Sequence, residues 1–406
     1  MNNFGVSKRG ELAPASPIRK LAAFADQAEK DGVHIYHLNI GQPDLVVPKS
    51  VEHRIKNCSI SYIPYENSHG MACFIDSWRR YYEEMNVSLM PRNILVTSGG
   101  SEAISFALAA VCDHGDEVVC FEPLYANYLG FANFLGIDLK PICLDENYHL
   151  PKMEIIEHSI GNQTRAILLN NPNNPTGTVF SEPEIKMILK LAKKKSLYVI
   201  CDEAYLGITF DGKSSKSILQ IADESELERI IVVDSVSKRL NACGLRVGIL
   251  VTKNLKLMDT VDRFAQARLS AGMLDQWILA DAPREISKYS KKLASEYQKR
   301  RDAFIDTFEA ESGITVHRPE GAFYAFFKIP VEDTDHFAKW LLTDFRIDSK
   351  TVMVAPGAGF YASAEKGKDE IRVAYVLKKS EMKKAAKILA AALKTYNSLF
   401  PGRVGR

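Results

Sequence analysis

The chain has 406 residues, 46% of them apolar and 25% charged, proportions of an ordinary globular protein with room for two domains or for one large domain with an appendage. A formal net charge of +2 gives no electrostatic footing for nucleic acid or an anionic membrane as partner. No apolar run approaches the roughly 18 residues of a membrane-spanning helix, and the first ten residues lack the apolar core of a secretion signal.

In chain order, residues 1–16 read as a loosely held arm. Pro17 opens an expected helix that runs to Asp31, with Leu21, Phe24 and Ala28 on its apolar face. His34–Ile40 alternates as a strand and ends in the turn Gly41-Gln-Pro-Asp44. An aromatic loop, Tyr62–Gly70, precedes a helix over Met71–Met85. Strands are then expected at Asn93–Thr97, Glu117–Phe121, Arg165–Leu169, Leu197–Cys201, Arg229–Val233 and Leu245–Val251. Helices fall at Ser101–Val111, Tyr125–Leu135, Pro183–Lys195 and Leu255–Arg268. Strands alternating with helices of ten or so residues predict a mostly parallel α/β sheet covered on both faces.

After a long charged helix over Pro283–Ala310, the style changes. Gly321–Lys328 and Ile371–Val376 read as strands, Asp335–Leu342 and Lys379–Phe400 as helices. This is α+β material and predicts a second, smaller domain. The charge run around Lys299-Arg-Arg301 is read as a solvated helix face. Seven scattered cysteines, none spaced as Cys-x-x-Cys, argue against a disulfide framework and against a zinc site, and for a reducing compartment such as the cytoplasm. Cys201 and Cys243 are read as small packing residues.

Ligands of open α/β sheets bind outside the carboxyl ends of the strands, and four signals stand at such ends. Ser98-Gly-Gly-Ser-Glu102 puts small residues where a strand becomes a helix, a place that favours phosphate. Neither a Gly-x-Gly-x-x-Gly nor a Walker-type spacing occurs there, which disfavours nicotinamide and nucleotide ligands. Asn170-Asn-Pro-Asn-Asn-Pro-Thr-Gly177 fixes an irregular backbone and leaves asparagine amides free to bind a polar ligand. Asp202-Glu-Ala-Tyr205 ends a buried strand with an acid that can hold a pyridine nitrogen protonated. Asp234-Ser-Val-Ser-Lys-Arg-Leu-Asn-Ala-Cys-Gly-Leu-Arg-Val-Gly248 places Lys238 between hydroxyls and Arg246, which suits a lysine that captures a carbonyl group.

Taken in that order, Asn-x-x-Asn-Asn-Pro-Thr-Gly, Asp-Glu-Ala-Tyr and Ser-x-Ser-Lys-x5-Gly-x-Arg-x-Gly resemble the class I/II aminotransferases, pyridoxal-phosphate enzymes of fold type I. The resemblance runs from Asn39-Ile-Gly-Gln-Pro-Asp44 to Arg372. It implies a large cofactor-binding domain over 46–300, an N-terminal arm over 1–45 that joins the small domain, and a small C-terminal domain over 301–406. It implies pyridoxal 5'-phosphate as cofactor, with Lys238 as the Schiff-base lysine and proton shuttle. Asp202 would pair with the pyridine nitrogen, Tyr205 and Asn174 with the phenolic oxygen, and Tyr125 would stack on the ring. Phosphate contacts would come from Gly100, Ser101, Ser235 and Arg246, and from Tyr65 of a neighbouring subunit, which implies a homodimer with shared sites. Arg372 and the backbone at Gly41 would hold the substrate α-carboxylate, Arg372 as a bidentate fork.

The expected reaction moves an amino group from an L-amino acid to a 2-oxo acid by a ping-pong mechanism. Arg268, in Gln266-Ala-Arg-Leu-Ser270, stands where family members select the distal substrate group. Pairing there with a second carboxylate favours aspartate or glutamate, with oxaloacetate and 2-oxoglutarate as partners. Ala271-Gly-Met-Leu-Asp-Gln276 departs from the proline-rich continuation of the aspartate group, which leaves an aromatic or neutral donor open. The same scaffold also serves lyases and oxidases, and the cofactor motifs do not separate these.

Overall fold

The computed structural model describes residues 5–401. The first strand, β1 (His34–His37), stands apart from the central sheet. That sheet comprises β2 (Ile94–Thr97), β3 (Glu117–Glu122), β4 (Asp138–Cys143), β5 (Thr164–Asn170), β6 (Tyr198–Asp202), β7 (Ile230–Ser235) and β8 (Gly248–Val251), in the order β2-β8-β7-β6-β5-β3-β4. Strands β3 to β7 pair in parallel, while β8 runs antiparallel to both β2 and β7. The expected mostly parallel α/β sheet is therefore present, with one reversed strand.

Why these segments are strands follows from burial on both faces. Ile230 and Val232 face one apolar core and Ile231 and Val233 the other, all of them fully buried. A strand covered on both sides reads as a continuous β-branched run. On one face the Gly100–Val111 and Leu255–Arg268 helices supply Ala103, Ala107, Leu108, Val261 and Ala265. On the other, the Glu182–Lys195 helix supplies Ile185, Ile188, Leu189 and Ala192. Ser181 and Glu184 cap its start reciprocally, and Lys193, Lys194 and Lys195 occupy its last turn, matching the helix dipole at both ends.

The smaller unit joins the two ends of the chain. β9 (Tyr324–Lys328), β10 (Lys350–Met353), β11 (Ala355–Pro356) and β12 (Glu370–Ala374) complete the strands. β1 pairs in parallel with β10, His34 opposite Lys350, and β12 lies antiparallel between β9 and β11. The Ile286–Ser312 helix packs along Lys379–Leu399. The division expected after residue 300 falls inside this single Ile286–Ser312 helix, which carries the chain from the sheet to the smaller unit.

Several boundaries differ from the sequence reading. The helix expected from Pro17 begins at Ala22, because residues 18–21 form a turn first. Residues 1–4 of the expected arm lie outside the described residues; Lys8–Glu11 is a single helical turn, and residues 5–15 are exposed. The strand expected over Leu245–Val251 is regular only from Gly248, since Cys243–Leu245 is a tight turn and Arg246 has φ +46°. β4 was not expected: it is an edge strand carrying Pro141, which an edge tolerates. Among the described residues, no helix is long and apolar enough to cross a membrane, and all seven cysteines are free.

Candidate active site

Most of the candidate site stands at the carboxyl ends of β2, β5, β6 and β7, and the smaller unit adds Arg372 on β12. β2 runs through Gly99, at φ +83°, into the Gly100–Val111 helix. A Cβ at Gly99 would lie 2.7 Å from Arg246 Nη2, and one at Gly248 would lie 2.6 Å from the Gly99 carbonyl carbon. Glycine is therefore what lets these two turns and the Arg246 guanidinium close on the helix start. The first N–H groups of that helix have no carbonyl to pair with inside it. Ser235, 3% exposed, adds a hydroxyl: its Oγ accepts from Ser237 N at 3.1 Å and donates to the Val247 carbonyl at 3.1 Å. The result is a cradle of N–H, O–H and guanidinium groups that fits a phosphate.

Across the cavity, Asp202 ends β6 as a buried carboxylate with no cationic partner among the described residues. It accepts from Tyr128 Oη at 2.8 Å and from Ala204 N at 3.1 Å. Burial raises its pKa and these two hydrogen bonds oppose the rise. A buried acid in this condition is suited to a protonated ring nitrogen.

The Asn/Pro loop uses each asparagine separately. Asn170 Nδ2 donates to the Asp202 carbonyl at 3.0 Å, and its Oδ1 accepts from Asn174 N at 2.7 Å. Asn171 Oδ1 accepts from Phe180 N at 2.8 Å, while Asn173 Oδ1 holds Thr176. That leaves the Asn174 amide to face the cavity. Its Nδ2 donates to Tyr205 Oη at 3.5 Å, and its Oδ1 accepts from Arg372 Nη1 at 3.0 Å. Tyr205 Oη in turn lies 2.9 Å from Tyr324 Oη. Burial holds the Tyr205 phenol well above its ordinary pKa, so it serves as a neutral donor.

Arg372, on β12, is 1% exposed. Its Nη2 donates to the Asn39 carbonyl at 2.6 Å, and its guanidinium lies over the Tyr324 and Phe360 rings at 4.4 and 4.8 Å. Nε has no hydrogen-bond partner, and no carboxylate pairs with the side chain among the described residues. Burial lowers its pKa. A buried guanidinium fixed in place by neutral oxygens is chemically suited to a carboxylate.

Lys238 bridges the two halves. It lies in the short Val236–Arg239 helix that follows β7, and its Nζ donates to the Gly41 carbonyl at 2.8 Å. Cys243 Sγ is 3.8 Å from the same nitrogen, and the Phe323 ring centroid is 5.8 Å away. Gly41 is required where it stands, since a Cβ there would meet Tyr324 Oη at 1.8 Å.

Of the residues anticipated from sequence, Gly100, Ser101, Ser235, Arg246 and Lys238 line one cavity of about 150 Å³. Tyr125, Asn174, Asp202 and Tyr205 line the same cavity. Gly41 and Arg372 adjoin it through Lys238 and Asn174. Tyr65 does not: it lies in the loop before residue 70, 81% exposed. Arg268 does not line it either; its Nη2 donates to the Val96 carbonyl at 3.1 Å and lies 3.7 Å from Glu102. Sequence reasoning passed over Tyr128, which lies in the first turn of the Asn127–Leu135 helix that follows Tyr125. It also passed over the roles of Asn39 and Tyr324, because only the pairing of β1 with β10 and of β9 with β12 brings them to Arg372.

Comparison with known proteins agrees with this geometry. Residues 33–389 match the family model described as aminotransferase class I and II. The chain is 30% identical over 374 residues to the (5-formylfuran-3-yl)methyl phosphate transaminase of Methanocaldococcus jannaschii, covering 91% of this chain and 94% of that one. The solved aspartate aminotransferase of Thermotoga maritima superposes with a TM-score of 0.86 at 25% identity, over 96% of this chain and 100% of that one. The alanine aminotransferase of Pyrococcus furiosus superposes with a TM-score of 0.85, also at 25% identity and with the same coverage. The chain belongs to the class I and II aminotransferases and has the aspartate aminotransferase-like fold.

Proposed function

We propose that this aminotransferase uses pyridoxal 5'-phosphate to move an amino group from an L-amino acid to a 2-oxo acid, in two half-reactions on one site. The observation that carries the reading is the pair of buried, uncompensated charges at opposite sides of Lys238: Asp202 for a protonated ring nitrogen and Arg372 for an α-carboxylate. The cofactor, when bound, supplies an electron sink for the pair released at the substrate Cα.

The residues present fit that group. Gly100, Ser101, Ser235 and Arg246 would hold its phosphate, Tyr205 and Asn174 its phenolic oxygen, and Tyr125 a ring face. Asp202, kept dry by Tyr128 and the sheet, would hold the ring nitrogen charged. Arg372 fixes the substrate by its α-carboxylate, and so orients the Cα–H bond toward Lys238. Lys238 would anchor the cofactor through its amine, and the freed amine would take up and hold the proton from the substrate Cα. The Gly41 carbonyl, 2.8 Å from Nζ, gives the amine a rest position between these tasks.

Two readings of the donor each have an observation behind them. Arg268 carries two buried N–H groups, Nε and Nη1, without hydrogen-bond partners, which supports a second carboxylate and hence aspartate or glutamate. Its place outside the Lys238 cavity, with the Tyr324 and Phe360 rings beside Arg372, supports a neutral or aromatic donor instead. We also read the enzyme as a homodimer in a reducing compartment such as the cytoplasm. Exposed Tyr62, Ile63, Tyr65 and Leu269 support the first point, and seven free cysteines the second.

Lys238→Ala tests the core of the proposal. Its turnover is expected to fall by more than about 10,000-fold, with the cofactor still bound through the phosphate cradle; turnover near the wild-type rate would sink the reading. Absorbance of the holoenzyme against single amino acids then decides the donor. Bleaching by aspartate or glutamate that disappears in Arg268→Ala selects the acidic reading, and bleaching by neutral or aromatic donors alone selects the other. Keto acid formed without an amino acceptor would point to a lyase or oxidase.

A further inference from the structure

A second cavity, of about 580 Å³, opens between the Ile286–Ser312 helix, the loop over residues 206–215 and the end of the Ala72–Glu84 helix. It shares no lining residue with the cavity around Lys238. Along its helical wall Ser287, Lys291, Ser295 and Lys299 stand at four-residue steps, which puts them in one row on one helix face. This is the charged face that the sequence alone presents as merely solvated.

The charge of the cavity is one-sided. Lys213, Lys291 and Lys299 line it, and Asp302 is the single acidic lining residue among those described. Asp302 is already engaged by Arg301 at 2.7 Å, and Lys213 by Glu320. Lys291 and Lys299 have no ion pair among the described residues. The floor adds two polar atoms that are buried and unsatisfied. Among the described residues, Arg239, 1% exposed, lacks a partner at Nε, and Ser290, 3% exposed, lacks one at Oγ. A donor left unpaired inside a protein costs its full desolvation, and in native structures such groups are met by water or a ligand. Met85, Leu206 and Ile286 supply an apolar surface beside them.

We propose that this cavity binds a small phosphorylated metabolite, its phosphate between Lys291 and Lys299 at the rim and its apolar part against Leu206 and Ile286. The two lysines are about 12 Å apart along the helix axis, a gap their flexible stems close over the Ser295 hydroxyl. Hydroxyls paired with ammonium groups suit phosphate oxygens better than they suit a neutral ligand. Since Arg239 directly follows Lys238, the site reaches the segment that carries the reactive amine. It does so without touching the cofactor cradle.

The test is calorimetric titration of the holoenzyme with inorganic pyrophosphate, and with citrate as a carboxylate counterpart. Pyrophosphate is expected to bind without releasing the cofactor. Affinity should fall about tenfold or more in the Lys291→Gln/Lys299→Gln protein and stay unchanged in Lys288→Gln/Lys292→Gln. The second pair removes the same charge from the same helix at exposed positions that do not line the cavity. Absence of pyrophosphate binding, equal weakening by both pairs, or displacement of the cofactor overturns the site. Citrate binding as tightly as pyrophosphate overturns its assignment to phosphate.

Discussion

Two pairs of buried charge bear on Lys238, one in its own segment and one beside its cavity, and they are built on opposite principles. Asp234 and Arg239, both essentially unexposed, form an ion pair with each other. Asp234 Oδ1 also accepts from Ser235 N at 2.6 Å, and Arg239 bonds to Tyr81 Oη and lies 4.7 Å from the Tyr81 ring centroid. Asp202 and Arg372 are also buried, yet each is held by neutral groups and neither meets an opposite charge among the described residues. The charges of the first pair neutralise each other within the chain. The second pair would, in the function proposed above, meet charges that come from outside the chain. Burial alone therefore does not mark a functional ion; burial without a counter-charge does.

Breaking each pair should have different consequences, and the largest effect belongs to the closed one. Arg239→Leu leaves Asp234 buried and unpaired, so thermal or urea unfolding should show a loss of about 3–5 kcal/mol. Replacing both partners by apolar residues should recover much of that loss. Arg372→Leu, by contrast, should leave stability near that of the parent. Its kcat/KM for amino acid should fall by about 2–5 kcal/mol of binding, roughly 30-fold to several thousand-fold. If Arg372→Leu unfolded the protein as Arg239→Leu does, the distinction between the two pairs would collapse.

A third prediction uses pH. Glu203 is buried beside Asp202 and faces the closed pair. Its Oε1 accepts from Ile218 N at 2.7 Å and from Ser217 Oγ at 3.1 Å, but Oε2 has no partner. Burial pushes its pKa from an ordinary 4.5 up to about 8. An acid whose folded pKa is raised contributes stability that is fully present below 4.5 and is lost as pH climbs through 8. Relative to Glu203→Gln, the parent should therefore lose stability across that window, by an amount on the order of a few kcal/mol. Parallel pH profiles for the two proteins would refute the assignment of a neutral acid there. The smallest effect is expected from Tyr128→Phe, which removes one donor from Asp202 and should lower kcat/KM by about 1 kcal/mol, or roughly fivefold.

How much of this can be read before any coordinates depends on whether a signal is local. The β-branched runs at Ile230–Val233 and the irregular Asn170–Gly177 loop are local, and they locate the sheet and the cofactor side of the site directly. Arg239 is adjacent to Lys238 in sequence, yet nothing local says that it is buried or that Asp234, five residues earlier, faces it. Burial is set by the Ala72–Glu84 helix packing Tyr81 over both. β4 escaped for a different reason: Pro141 and the alternating exposure of an edge strand dilute the strand pattern. Arg268 shows the limit in the other direction. Its position in a motif suggests a role, while its side chain is engaged by the Val96 and Ser68 carbonyls, at 3.1 and 3.4 Å, which only the fold could supply.

The pairing of β1 with β10 also sets an order of events at the ribosome. Asn39 and Gly41, which hold Arg372 and Lys238 by their carbonyls, follow β1 directly and are synthesised early. Their strand has no partner until β10 emerges, and Arg372 comes later still. The cofactor cradle, spanning Gly99 to Gly248, can close well before then. Arg372, and the strand pairing that brings Asn39 to it, are thus completed only after the stretch that would hold a cofactor's phosphate has been made.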